Sequence, residues 1–124
     1  MTKSSTKVKV AIISHVPTTE QGDWILVPEE LKNIWGNIPP YGDTSKVEEY
    51  LGPILDWLYM VQPDTIWCQG EMTAVAVIWR WARNHGVKAV VATTERTAVE
   101  TTEPDGSVIK RAVFKHCQFR EIPL

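Results

Sequence analysis

Apolar and polar positions along the chain fall into alternating runs that read as strands and helices. Lys7 to Ser14 (KVKVAIIS) sets Lys against Val and then turns continuously apolar, the pattern of a strand entering a buried sheet. Pro17 stops it, and Thr18, Thr19, Glu20 and Gln21 read as the polar opening of a loop or helix. Trp24 to Pro28 predicts a short extended segment, after which PEELKNIW places Pro28 and two glutamates at a helix start. NIPPYGD (37–43) is a surface loop. Val47, Leu51, Ile54, Leu55 and Leu58 then recur at helical spacing, and Gly52–Pro53 predicts a kink or two consecutive helices.

Pro63 to Gly70 (PDTIWCQG) predicts a second buried strand. Glu71 to His85 predicts a helix with Ala74, Ile78, Trp81, Ala82 and His85 on one face, stopped by Gly86. Val87 to Thr94 (VKAVVATT) predicts a third buried strand, so strand, helix and strand fit within about 32 residues, the size of a parallel crossover. Asp105–Gly106 between Thr97–Thr102 and Ser107–Phe119 is a hairpin signal. The expected fold class is α/β: one domain over residues 1–124, a mostly parallel sheet flanked by helices, and a C-terminal β-hairpin. Residues 1–6 are expected to be a flexible N-terminus.

Composition narrows the function classes. The 124 residues suit one core, and thirteen Lys and Arg against fifteen Asp and Glu leave a net charge of −2, which gives no global positive field for a nucleic-acid polymer. The charge is uneven: residues 80–124 carry eight basic against five acidic side chains, and residues 20–71 carry two against ten. A small anionic ligand is therefore favoured near the third strand and hairpin, while the acidic part reads as a solvated face. Cys68 and Cys117 are too few for a disulfide framework or a four-cysteine zinc site and read as buried apolar residues in a reducing compartment. No apolar run has signal-peptide or membrane-spanning length, so the expectation is a cytoplasmic protein without a membrane partner.

Open parallel sheets bind ligands beyond the carboxyl ends of their strands. The candidate binding residues are therefore Ser14, His15, Thr18 and Gln21 after the first strand, and Gln69, Gly70 and Glu71 after the second. Thr93, Thr94, Glu95 and Arg96 follow the third. Lys115, His116 and Arg120 add donors suited to phosphate oxygens, although neighbours in a strand face opposite ways, so at most one of Lys115 and His116 serves a given site. Taken alone, Glu95 and Arg96 read as a surface ion pair, and His85 as structural. Of the six tryptophans, Trp57, Trp79 and Trp81 read as core and Trp35 as the ligand or interface candidate. Neither GxxxxGK[ST] nor GxGxxG occurs, and there is no HExxH, so no nucleotide cofactor and no metal is expected.

HVPTTEQ (15–21), LVPEELKNIWGNIPP (26–40), QG (69–70), ATTER (92–96) and DGSVIKRAVFKHCQFR (105–120) together cover nearly the whole chain. In these segments the sequence resembles the small stand-alone CRISPR-associated proteins of type III systems that have a Rossmann-like, CARF-like fold and act as ring nucleases. The resemblance implies a homodimer whose interface cleft binds a cyclic oligoadenylate second messenger, cyclic tetra-adenylate by symmetry. It implies metal-independent cleavage to linear products with a 2′,3′-cyclic phosphate, which switches off the antiviral response. On that reading Arg96 stabilises charge on the phosphoryl oxygens, His15 is base or acid, and Glu95 orients Arg96 or acts as base. Ser14, Thr18, Gln21, Gln69, Gly70, Thr93, Thr94 and Lys115 or His116 hold the ring. The alternative is a non-catalytic sensor or sponge that binds the ring intact. A third reading, a purely structural protein, predicts silent Arg96→Ala and His15→Ala substitutions.

Overall fold

The structure is a computed structural model and describes residues 7–124; the expected flexible segment 1–6 lies outside the described residues. In chain order the strands are β1 (Lys9–Ile12), β2 (Ile25–Leu26), β3 (Thr65–Cys68), β4 (Lys88–Thr102) and β5 (Val108–Glu121). The helices are α1 (Glu29–Gly36), α2 (Thr44–Tyr50), α3 (Gly52–Val61) and α4 (Met72–Asn84), and a 3-10 turn (Thr19–Gln21) lies between β1 and β2. One sheet runs β2-β1-β3-β4-β5, parallel throughout except for the antiparallel β4–β5 pair. The α/β class, the mostly parallel sheet and the closing hairpin are as the sequence patterns indicate.

Gly52–Pro53 resolves into two consecutive helices. Leu51 ends α2 and begins α3, and Pro53 sits in the first turn of α3, where its missing N–H breaks no bond. Asp43 accepts from the Lys46 N–H at the start of α2, and Glu71 accepts from the Ala74 N–H at the start of α4. An Arg80–Glu48 ion pair joins α4 to α2.

All four helices pack on the same face of the sheet. Val10, Ile12, Ile66, Cys68 and Ala89 of the strands meet Trp35, Val47, Leu51, Ile54, Leu58, Ala74, Ile78 and Ala82 there in one core. The other face carries a smaller cluster, Ala11, Trp67 and Val90, edged by Ile13, Trp24, Leu26, Ala92 and Phe119, and no helix among the described residues contributes to it. Chain direction explains the asymmetry. The connections from β2 to β3 and from β3 to β4 step one way across the sheet and carry all the helices, whereas β1 to β2 steps the other way. Crossovers of one hand that step in opposite directions lie on opposite faces. Only the 3-10 turn occupies the β1–β2 connection, so the second face is covered by a loop.

The third strand and the hairpin are one element, which corrects the expected loop at Thr93–Arg96. β4 pairs with β3 only from Lys88 to Val90 and then continues against β5 as a ribbon to Thr102. The TTERTAVETT run contains no Gly or Pro and keeps strand alternation, so nothing ends the strand until Pro104. From Thr94 outward every residue of β4 is exposed. No helix among the described residues is long and apolar enough to cross a membrane.

Candidate functional site

The sheet reverses direction between β1 and β3: the chain leaves β1 toward β2 and leaves β3 toward β4. Loops that diverge at such a point open a crevice at the carboxyl ends of the strands. Ser14 and His15 leave β1 there, and Gln69 and Gly70 leave β3. Ser14 and His15 line a cleft of about 220 Å³ together with Leu26, Lys32 and the edge of Trp35. Lys32, whose ammonium lies 2.8 Å from Glu29, is the cation of this cleft. Nothing in its local pattern marks it, because it stands in the acidic segment.

The helix-free face meets the cleft at His15. The His15 ring stands edge-on to Trp67 at 5.7 Å, Trp67 to Phe119 at 4.9 Å, and Phe119 to His116 at 5.0 Å. Trp24 closes the cluster against Trp67 and Phe119 at 5.4 and 5.0 Å, and Lys9 lies over the Trp24 ring at 4.5 Å. A row of rings thus links the two histidines. Nδ1 of His116 is buried and has no hydrogen-bond partner among the described residues.

The ribbon's alternation decides which candidates share this face. Val90 and Ala92 lie on the helix-free face, so Thr94 and Arg96 follow on the same side, and opposite them stand His116 and Phe114. Thr93 pairs with Gln118 and Thr94 with His116, leaving Cys117 as the extra residue of a β-bulge. Without that bulge His116 would face away from Phe119; with it, both rings lie on one side.

Several expected contacts are placed elsewhere. Glu95 pairs with Lys115 on the opposite face from Arg96, so Glu95 is not in position to orient that guanidinium, and His116 rather than Lys115 shares the Arg96 face. The Thr93 hydroxyl donates to the Gln118 carbonyl at 3.1 Å. Gln21 is buried; its side-chain oxygen accepts from the Thr18 N–H at 2.9 Å and its carbonyl from the Trp24 indole at 2.7 Å. Thr18 and Gln21 therefore fold the loop that covers Trp24. Gln69 uses its side-chain oxygen twice, accepting from the Trp67 indole at 2.6 Å and from the Ala92 N–H at 2.8 Å, which ties the end of β3 to β4. At Gly70 an added Cβ would meet the Trp35 ring at 3.1 Å, so this glycine is a packing requirement.

Trp35, the ligand or interface candidate, is buried, and its indole donates to the Gln69 carbonyl at 3.2 Å. Cys117, expected to be buried, is exposed because the bulge sets it on the open ribbon; Cys68 is buried, and desolvation pushes its thiol well above the usual range. Trp57, Trp79 and Trp81 pack against the main core as expected. His85 ends α4, its Nδ1 2.8 Å from the Trp81 carbonyl and its ring stacked on Trp81 at 4.0 Å, a structural role. What remains together is a cleft with Ser14, His15 and Lys32, continuous with a face that presents Thr94, Arg96 and His116. Two imidazoles, a guanidinium, an ammonium and hydroxyls suit a phosphodiester: proton acceptor and donor, with cationic donors for its oxygens.

Comparison with known proteins finds a family match for the sequence. The family model described as the uncharacterized protein MJ1673 family matches residues 7–120. The chain is 33% identical over 101 residues to the uncharacterized protein MJ1673 of Methanocaldococcus jannaschii, covering 80% of this chain and 76% of the relative. No solved structure gives a significant match.

Proposed function

The chain belongs to the uncharacterized protein MJ1673 family, and we propose that it is a metal-independent ring nuclease with a Rossmann-like, CARF-like domain. Its substrate is a cyclic oligoadenylate, cyclic tetra-adenylate by symmetry, bound in the cleft of a cytoplasmic homodimer. Cleavage switches off type III CRISPR antiviral signalling. One observation carries the reading: the bulge at Cys117 turns His116 onto the face that already holds His15 and Arg96. Sequence resemblance supplies the substrate class, and the charge and hydrogen-bonding types at the site agree with it.

The reaction is an in-line transfer within the ring. The ribose 2′-oxygen attacks the adjacent phosphorus, its proton passing to a base, and the bond from phosphorus to the 5′-oxygen breaks as that oxygen takes a proton from an acid. A linear product with a 2′,3′-cyclic phosphate and a 5′-hydroxyl results. His15, at the mouth of the cleft, is the base or acid with water as its counterpart, and His116, two rings away, holds a neighbouring phosphate. Arg96 donates to the non-bridging oxygens as charge builds on them. Ser14, Lys32 and Thr94 hold neighbouring phosphates, and much of the acceleration is orientation of a reaction whose nucleophile is already in the substrate.

Binding and turnover of cyclic tetra-adenylate by the wild type and by Arg96→Ala test the reading. The expected result is turnover by the wild type and a loss of about 100-fold or more in the variant, with the fold intact by circular dichroism. Equal turnover by the two proteins overturns the assignment of Arg96, and no binding by either overturns the substrate class.

A further inference from the structure

A second cavity lies at the other end of the sheet. α3 ends at Val61 and α4 at Asn84, and both deliver their last turns to the amino ends of β3 and β4. The turns that follow, Gln62 to Asp64 and His85 to Val87, enclose a pocket of about 340 Å³ together with Tyr59 and Trp81. That volume falls within the range of small-ligand sites. The cleft of Ser14 and His15 stands at the carboxyl ends of the strands, so the two cavities occupy opposite ends of the sheet.

The chemistry of the lining is one-sided. The His85 ring stacks on Trp81 at 4.0 Å with an interplanar angle of 18°, and Tyr59 stands nearly upright to it, at 78° and 6.3 Å. Stacked and upright rings form two walls of a corner. Nδ1 of His85 lies 2.8 Å from the Trp81 carbonyl. A carbonyl only accepts, so Nδ1 carries the proton, and Nε2 of the neutral ring is an acceptor. The Tyr59 hydroxyl and the Gln62 side-chain oxygen add two more. Asp64 lines the pocket as well, its Oδ2 accepting from the Val8 N–H at 2.7 Å. No lysine or arginine among the described residues lines it. α3 has no basic residue in its last turn, and Arg83 of α4 stays out of the lining, so the negative ends of two helix dipoles converge on this pocket.

Backbone conformation singles out one of the acceptors. Gln62 is the one non-glycine residue with positive φ among the described residues (φ 52°, ψ 64°). It caps α3, where glycine would be free of strain, and Gly86 fills the matching turn after α4. A side chain kept where glycine is favoured points to a use for that side chain.

We propose that this pocket is a second binding site and that its ligand is a small aliphatic ammonium ion. The rings face the cation, the acceptors of Tyr59, Gln62 and His85 take its N–H groups, and the helix ends favour its charge. The inference does not depend on the function proposed above.

The test is an NMR titration of the full chain with putrescine, with butanediol as the neutral isostere. Saturable shifts are expected at the amides of Gln62, Asp64, Gly86 and Val87, with no saturable response to butanediol. Tyr59→Ala is expected to weaken binding about 10-fold, and Tyr59→Phe, which keeps the ring, by no more than about 3-fold. Gln62→Gly is expected to raise the melting temperature while weakening binding, which separates a ligand role from a structural one. No saturable shift at these amides up to about 10 mM putrescine overturns the site. Shifts spread over Glu29, Glu48 and Glu49 and indifferent to Tyr59→Ala mean unspecific counterion binding and also overturn it. Equal binding of butanediol overturns the ligand class.

Discussion

His116 and Phe119 stand three positions apart on one strand, yet their rings lie 5.0 Å apart on the same face. Regular alternation would set them on opposite faces. The single extra residue, Cys117, changes the parity, and the helix-free face gains an imidazole opposite Thr94 and beside Arg96. Bulges commonly re-aim a side chain in this way.

Deleting Cys117 should therefore leave His116 where it stands. In the shortened strand Phe119, Gln118 and His116 alternate regularly, and His116 still pairs with Thr94 on the Arg96 face. The expected result is a folded protein that keeps its turnover, whereas in His116→Ala turnover falls about 10- to 100-fold. Cys117→Ser should keep full turnover. Single-turnover kinetics of the three variants, with circular dichroism spectra, make the comparison.

Trp67 is fully buried at the centre of the second face and is held through its indole N–H by Gln69. Trp67→Ala should cost about 3–5 kcal/mol by loss of burial and cavity formation. Gln69→Ala should cost about 1–3 kcal/mol, because the Trp67 indole and the Ala92 N–H both lose their acceptor. Urea denaturation measures both. Hydrogen exchange at the Ala92 amide should accelerate in Gln69→Ala.

The carboxylates of Glu71 and Asp43 are held below the usual range, Glu71 chiefly by the Ala74 N–H and Asp43 chiefly by the Ser45 hydroxyl and the Lys46 N–H. A lowered folded-state pKa means that the unfolded chain binds more protons in this range. Their stabilisation is thus fully present above the ordinary carboxylate range and lost as pH falls through the lowered folded values. Thermal melts from pH 7 to pH 3 should show Glu71→Gln less stable than the wild type at neutral pH, with the gap closing in acid.

The two cysteines should differ sharply toward iodoacetamide. Cys117 is exposed on the ribbon, whereas Cys68 is buried and its thiol is pushed up by desolvation. Mass spectrometry of the native protein should find one label, on Cys117, and two after denaturation.

The parts of the fold visible in the sequence are those set by local periodicity. The helices follow from apolar stripes, β1 and β3 from continuous apolar runs, and the hairpin from Asp105–Gly106. Hidden were features that depend on distant pairing. Thr93–Arg96 resembles a polar loop until β5 is seen to pair with it residue by residue. Cys117 resembles a core residue because a bulge leaves no composition signal. Ser14, His15, Thr94, Arg96 and His116 were all legible as candidates; that Glu95 faces away and that Gln21, Gln69 and Gly70 serve the scaffold follows only from tertiary contacts. Lys32 reached the cleft through the packing of α1, which no local pattern encodes.

The central claim is chemical, and mass spectrometry of the products tests it most directly. Purified protein is incubated in EDTA with excess cyclic tetra-adenylate or cyclic hexa-adenylate. The account predicts many turnovers of the tetra-adenylate ring into linear adenylates ending in a 2′,3′-cyclic phosphate, with the hexa-adenylate ring cut more slowly. Intact rings recovered after tight binding would contradict it and leave a sensor or sponge.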